Sequence, residues 1–199
     1  MALEIERCLT IPDPAIIDAM LADNWLLSVF TAPLTVKQHN AVYYDTPDRA
    51  LETLRWALRL RREDGKTVAA LKTLSTHDHT RCEWQCEAVD IVSALSTLVE
   101  AGAPTQLLSM QELQPICNVV YQRTRTVIDI DGFKAELAID GGQIESHGRH
   151  TPICELELEL IDGTVNQLQD VTNAIAERYG LDVQPYSKLE RAFQLRDAT

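Results

Sequence analysis

Glu155, Glu157 and Glu159 alternate with leucines in the run Glu155-Leu156-Glu157-Leu158-Glu159-Leu160. Side chains on a strand alternate faces, so the three carboxylates share one face within about 14 Å of each other. Such crowding calls for a compensating charge, and a hard cation with oxygen ligands supplies it. Glu4 and Glu6 repeat the pattern near the start of the chain, with Cys8 next on the same face. Arg59 and Arg61, with Glu63 beyond them, repeat it in the opposite sign, and so do Arg123 and Arg125. A guanidinium pairs its planar fork with two phosphate oxygens, so these pairs suit a phosphate chain. Lys72 falls on the face of Val68 and Ala70, while Glu136 and Asp140 share a face opposite Leu137 and Ile139.

An antiparallel sheet with one solvated face would also alternate in this way. Two features favour another arrangement. Like charges at i and i+2 repel along a strand, and a solvated face ordinarily mixes signs. Here some strands are acidic and others basic. If the sheet curls with its charges inward, both kinds of strand face one cavity, and that cavity would hold a metal ion and a phosphate chain together.

The elements that must position these residues are mostly strands in hairpins. Residues 3–10, 36–44, 54–63, 67–74, 81–88, 117–130, 133–140 and 152–160 read as about eight strands. Asp64-Gly65 and Asp131-Gly132 are hairpin turns, and Gly141-Gly142 is expected to turn the chain again. Helices are expected over 14–22, 47–53, 89–101 and 164–179, the last two stopped by Gly102 and Gly180. The tail 186–195 has no clear pattern. The order points to one α+β domain over residues 1–199, with an antiparallel sheet compatible with closure into a barrel.

Composition narrows the function classes. The chain has 199 residues and a formal net charge of −12. A nucleic-acid or anionic-membrane surface is normally basic, so neither partner is expected. No apolar run approaches the roughly 20 residues that span a bilayer. Met1-Ala2-Leu3-Glu4 lacks the basic and apolar segments of a secretory signal. Five cysteines at irregular spacing read as free thiols of a reducing cytoplasm. His77-Asp78-His79, His147 and His150 are read as solvated loop residues, and Trp25, Trp56 and Trp84 as packing helices on the sheet.

Several of these stretches together resemble the CYTH group of triphosphate tunnel metalloenzymes. Glu4-Ile5-Glu6-Arg7-Cys8 is similar to the family's opening Glu-x-Glu-x-Lys strand. Tyr44-Asp45-Thr46-Pro47, then Arg59-Leu60-Arg61 and Leu71-Lys72, resemble its central signature. Asp140 ahead of Glu155-Leu156-Glu157-Leu158-Glu159 resembles its late acidic strands, and Ser187-Lys188-Leu189-Glu190-Arg191 its C-terminal signature. Nearly the whole chain is covered in order. Pro152-Ile153-Cys154 and the Ser-Lys ending look most like the bacterial inorganic triphosphatase branch, where a helical, histidine-rich domain often follows the barrel. The present residues are those of the barrel part alone.

The resemblance implies a closed, eight-stranded antiparallel β-barrel forming a tunnel, with helices packed outside. It also implies Mg²⁺ or Mn²⁺, and hydrolysis of inorganic triphosphate to diphosphate and phosphate. An organic triphosphate such as thiamine or nucleoside triphosphate, or a non-catalytic polyphosphate- or nucleotide-binding module, are the alternatives. Metal binding falls to Glu4, Glu6, Asp140, Glu155, Glu157 and Glu159. The phosphate chain falls to Arg59, Arg61, Lys72, Arg123, Arg125 and Lys188. Glu4, Glu6, Lys72 and Asp140 are the residues expected to support catalysis. Cys8 stands where the family's lysine is expected, which removes one cation from the phosphate site.

Overall fold

The structure, a computed structural model, describes residues 2–63, 65–73 and 80–197; for 2, 3, 80 and 81 it describes the backbone alone. Its strands are β1 (Ala2–Thr10), β2 (Thr35–Asp45), β3 (Trp56–Glu63), β4 (Lys66–Thr73), β5 (Thr80–Glu87), β6 (Gln114–Ile130), β7 (Phe133–Ser146), β8 (Arg149–Asp162) and β9 (Asp182–Val183). The helices are α1 (Ala15–Ala22), α2 (Asn24–Ser28), α3 (Ala50–Leu54), α4 (Ile91–Glu100), α5 (Val165–Tyr179) and α6 (Lys188–Asp197). The expectation of an α+β chain with hairpin strands and helices between them agrees with this order. Among the described residues no helix is long and apolar enough to cross a membrane. His77-Asp78-His79 lies outside the described residues.

The expected closed, eight-stranded barrel is corrected. One antiparallel sheet of nine strands runs β5-β4-β3-β2-β6-β7-β8-β1-β9, and it is not closed into a barrel. β1 reaches both flanks of the curled sheet, but with different halves. Residues 2–5 pair with β5, whereas residues 6–10 pair with β8. No described residue of β1 is paired to both, so the hydrogen-bond ladder is not continuous around the ring. The described β5 pairing ends at Ile5 opposite Thr80, and β9 takes an edge of Leu9 and Thr10.

Alternation sends the apolar side chains to opposite sides of the curl. Leu137, Ile139, Leu156 and Leu158 point outward into a core covered by α1, α2 and α5 through Met20, Leu26, Leu168 and Ile175. Leu58, Ala69, Leu71 and Trp84 point outward under α4 through Ala94, Leu95 and Leu98. Trp25 packs on the first of these cores, and Trp56 and Trp84 on the second, together with Cys82 and Cys86. The charged faces are therefore the concave ones. α5 is fixed at its start by a capping box of Thr164 and Gln167 and at its end by Gly180 at φ 64°.

One end of the concave face is apolar. Ala41, Tyr43, Ala57, Val119, Tyr121, Ile144 and Ile153 meet Leu189 and Ala192 of α6 there. The patternless tail is thus a helix laid against the inner face, where it covers the apolar end and leaves the charged end open. The central signature has a structural job. Buried Asp45 accepts hydrogen bonds from the backbone N–H groups of Thr46, Leu51 and Glu52 at 2.7, 2.8 and 3.0 Å, and so starts α3.

Gly141-Gly142 does not turn the chain. β7 continues through both residues to Ser146, and the turn falls at His147-Gly148. Glycine is needed at 142 for close approach, since a Cβ there would lie 2.1 Å from the Val120 carbonyl oxygen. The space beside Gly141 is open to 4 Å. Gly142→Ala should therefore cost about 2 kcal/mol in urea denaturation, in the range of overpacking effects, while Gly141→Ala should stay near wild type. Equal stability of the two variants would contradict the close approach of β6 and β7.

Candidate active site

The charged end of the concave face encloses a cavity of about 610 Å³. β1 contributes Glu4, Glu6 and Cys8, and β3 and β4 contribute Arg59, Arg61 and Lys72. β6 and β7 supply Arg123, Arg125 and Glu136, β8 supplies Glu155, Glu157 and Glu159, and α6 supplies Lys188. Asp140 lies beneath this lining, fully buried at 0% exposure, and is reached through Arg123 and Lys188. All the residues singled out in the sequence thus gather at one place, but they fall into two sets with different electrostatics.

In the deeper set every carboxylate already has basic partners. Arg123 donates from Nε to Asp140 Oδ1 at 2.7 Å and from Nη2 to Oδ2 at 2.6 Å, a bidentate pair, and it also contacts Glu157. Lys188 Nζ lies 2.8 Å from Asp140 Oδ2 and 2.7 Å from Glu157 Oε1, and touches Glu155. Arg191 Nη1 donates to Glu155 Oε2 at 2.5 Å, and its Nη2 donates to the Pro152 carbonyl at 2.8 Å. Burial alone would raise the Glu157 pKa, but Arg123 and Lys188 outweigh it and hold the group well below the usual carboxylate range. For Lys188, burial works downward and is overcome by Asp140, Glu155 and Glu157, so the ammonium is held well above its ordinary value. Tyr121 lends its ring face to both cations, 5.6 Å from Arg123 and 5.1 Å from Lys188.

The outer set carries an excess of negative charge. Glu6 and Glu159 face each other across β1 and β8, and Glu136 faces Glu159 across β7 and β8. Lys72 donates to Glu4 Oε2 at 2.6 Å and lies 3.4 Å from Glu83. Burial, followed by repulsion from Glu4, Glu6 and Glu136, lifts the Glu159 pKa to about 7 against the pull of Lys72. Glu4 is raised as well, by burial and by its hydrogen bond with Glu83. Burial pushes Glu83 up too, but the Glu4 hydrogen bond with the charges of Lys72 and Arg59 leaves it lowered.

A hard cation fits this outer set by chemistry. Its donors are carboxylate oxygens, and Glu159 and Glu4 are raised first by burial and then by neighbouring carboxylates, so a divalent ion would favour their charged forms. Among the described residues, the group whose donor atoms lie within 4.8 Å of one another is not this set but Cys8, Glu155 and Glu157. Both of those carboxylates are held by Lys188, however, so a cation there would have to displace it.

The arginines are spread along the wall. Arg59 Nη2 is 3.5 Å from Glu83, the limit of a hydrogen bond, while Arg61 pairs with Glu63 at 2.7 Å and Arg125 with Glu136 at 3.0 Å. His39 stacks on Tyr121 beyond Arg61 and lies 3.4 Å from Glu63. Burial, with Arg61 and Arg123 nearby, depresses its pKa to about 4, so it stays neutral. Sequence reasoning passed over Glu83, Tyr121 and Arg191. The first was legible, because Glu83 alternates with Cys82 and Trp84 and so faces opposite to those core residues. Arg191 could not be placed without knowing that α6 enters the concave face.

Comparison with known proteins agrees with this architecture. The family model described as the CYTH domain matches residues 2–193. An inorganic triphosphatase of Haemophilus influenzae is 28% identical over 177 residues, which cover 85% of this chain and 50% of that protein. The chain thus spans about half the length of the curated relative it matches. A Hippeastrum adenylyl cyclase candidate, described as having a dominant triphosphatase activity, superposes with a TM-score of 0.63 at 18% identity, covering 96% of this chain and 95% of its own. A Pyrococcus horikoshii protein gives 0.61 at 18% identity, covering 96% and 98%. At these identities the two structures share the fold with this chain.

The deeper set makes a stability prediction. Asp140→Asn keeps the shape of the side chain but removes the charge that faces Arg123 and Lys188. Breaking one side of a buried pair typically costs about 3 kcal/mol or more, to be read as a lower urea midpoint with an unchanged slope. A wild-type midpoint would show that the Asp140 charge contributes nothing to folding.

Proposed function

This chain belongs to the CYTH domain family, and we propose that it hydrolyses inorganic triphosphate to diphosphate and phosphate in the charged cavity, assisted by Mg²⁺ or Mn²⁺. The observation that carries this reading is the meeting of an arginine wall and an under-neutralised carboxylate cluster in one 610 Å³ cavity. A linear triphosphate with a divalent ion answers both. The named activity of the Haemophilus relative supports the same substrate. Five free thiols accord with a reducing, cytoplasmic setting.

Glu4, Glu6 and Glu159 would hold the cation, directly or through water, since Mg²⁺ keeps several of its waters. When bound, it supplies charge neutralisation on the phosphates and lowers the pKa of a water molecule. Glu155, Glu157 and Asp140 stay with Arg123 and Arg191 in this reading and hold Arg123 in place. Arg59, Arg61, Arg123 and Arg125 bind and align the phosphate chain, with Lys72 and Lys188 at its flanks. Arg59 can exchange its long contact to Glu83 for a phosphate oxygen at little cost. The water oxygen bonds to the terminal phosphorus while the bridging P–O bond breaks; diphosphate departs with the bond's electrons, one water proton stays on the released phosphate and the other passes to solvent. The transition state is loose, so alignment and positive charge do most of the work.

Phosphate release should be measured for tripolyphosphate, thiamine triphosphate and ATP, each with Mg²⁺, Mn²⁺ or a chelator. Tripolyphosphate should be the best substrate, the chelator should abolish release, and Glu4→Gln should cost roughly 100-fold in kcat, as loss of one electrostatic group in such a site does. Tight binding of tripolyphosphate without release from any substrate would sink the hydrolase reading in favour of a binding module.

A further inference from the structure

We infer that Arg191 is a positioning residue that sets how readily Lys188 is given up to a bound phosphate chain. The inference rests on the phosphate-binding role proposed for Lys188. Lys188 touches three carboxylates, and each has a second basic partner. Asp140 and Glu157 have Arg123, and Glu155 has Arg191. Lys188 can thus leave this network without stranding a buried charge, as long as Arg123 and Arg191 stay. Its flexible stem, at the first position of α6, suits it to move.

Glu155 is the weak point of the arrangement. It is 2% exposed, so water cannot compensate for a lost counter-ion. Lys188 and Arg191 are its basic partners, and both come from α6. Arg191 is itself 9% exposed and is anchored twice on β8, to the Glu155 carboxylate and to the Pro152 carbonyl. It lies three residues beyond Lys188, on the same side of the helix. While Arg191 neutralises Glu155, Lys188 can turn its ammonium to a phosphate oxygen. Without Arg191, Lys188 becomes the counter-ion that Glu155 requires, and it is withheld from the ligand. Arg191 does not touch the substrate in this account.

The account predicts a compensation that plain packing would not produce. Arg191→Gln should raise KM and the calorimetric Kd for tripolyphosphate about tenfold, with a smaller change in kcat, because one buried charge pair is coupled to binding. Arg191→Lys should lie between. The double variant Glu155→Gln with Arg191→Gln should return Kd towards wild type, because a neutral amide no longer claims Lys188. If Arg191→Gln does not fold, the double variant carries the test, since it removes both buried charges together. Wild-type Kd in a folded Arg191→Gln protein overturns the inference, and so does a double variant that binds as weakly as the single. A wild type that binds tripolyphosphate without hydrolysing it refutes the proposed reaction and leaves the Kd test standing. A wild type that does not bind it overturns both.

Discussion

Neutralising like charges that face one another inside a concave sheet is the constraint on which this structure depends. Alternation gives each strand an apolar face, and the outer helices bury it. The charges are then forced inward, where water is scarce and each must find a partner from another strand. Arg123 meets Asp140 and Glu157 across β6, β7 and β8, while Lys72 meets Glu4 and Glu83 across β4, β1 and β5. The pairing of acidic with basic strands is therefore as much a part of the fold as the leucine core.

That neutralisation is complete at the deep end and incomplete at the outer end. In the proposed reading this difference separates scaffold from site. Asp140, Glu155 and Glu157 have Arg123, Lys188 and Arg191, whereas Glu4, Glu6, Glu136 and Glu159 crowd together beside Lys72 and Arg125. A preformed excess of negative charge next to a row of guanidiniums binds neither a cation nor an anion well by itself. In the proposed reaction a divalent ion and a polyphosphate together would cancel both excesses, which would tie the binding of one to the other.

Much of this was legible in the sequence, because strand alternation is a strict rule. Glu155-Leu156-Glu157-Leu158-Glu159 and Arg59-Leu60-Arg61 place their charges on one face without knowledge of the fold. The resemblance then indicated which face turns inward. What stayed hidden depends on contacts between distant segments. The short β9, which pairs with Leu9 and Thr10 of β1, is two residues long and carries no pattern. Gly141-Gly142 looks like a turn by composition, yet close approach of β6 requires the second glycine within a strand. Which carboxylates share Lys188 and Arg191 turns on where α6 packs, and its sequence does not disclose that it enters the concave face.

The central claim is that the outer carboxylates, and not the deep ones, receive the divalent ion. Anomalous scattering from Mn²⁺ in crystals grown with a slowly hydrolysed triphosphate analogue tests it most directly. The account predicts a manganese peak among Glu4, Glu6 and Glu159, with Arg123 still forked onto Asp140. A peak held by Asp140, Glu155 and Glu157, with Lys188 displaced, would contradict it.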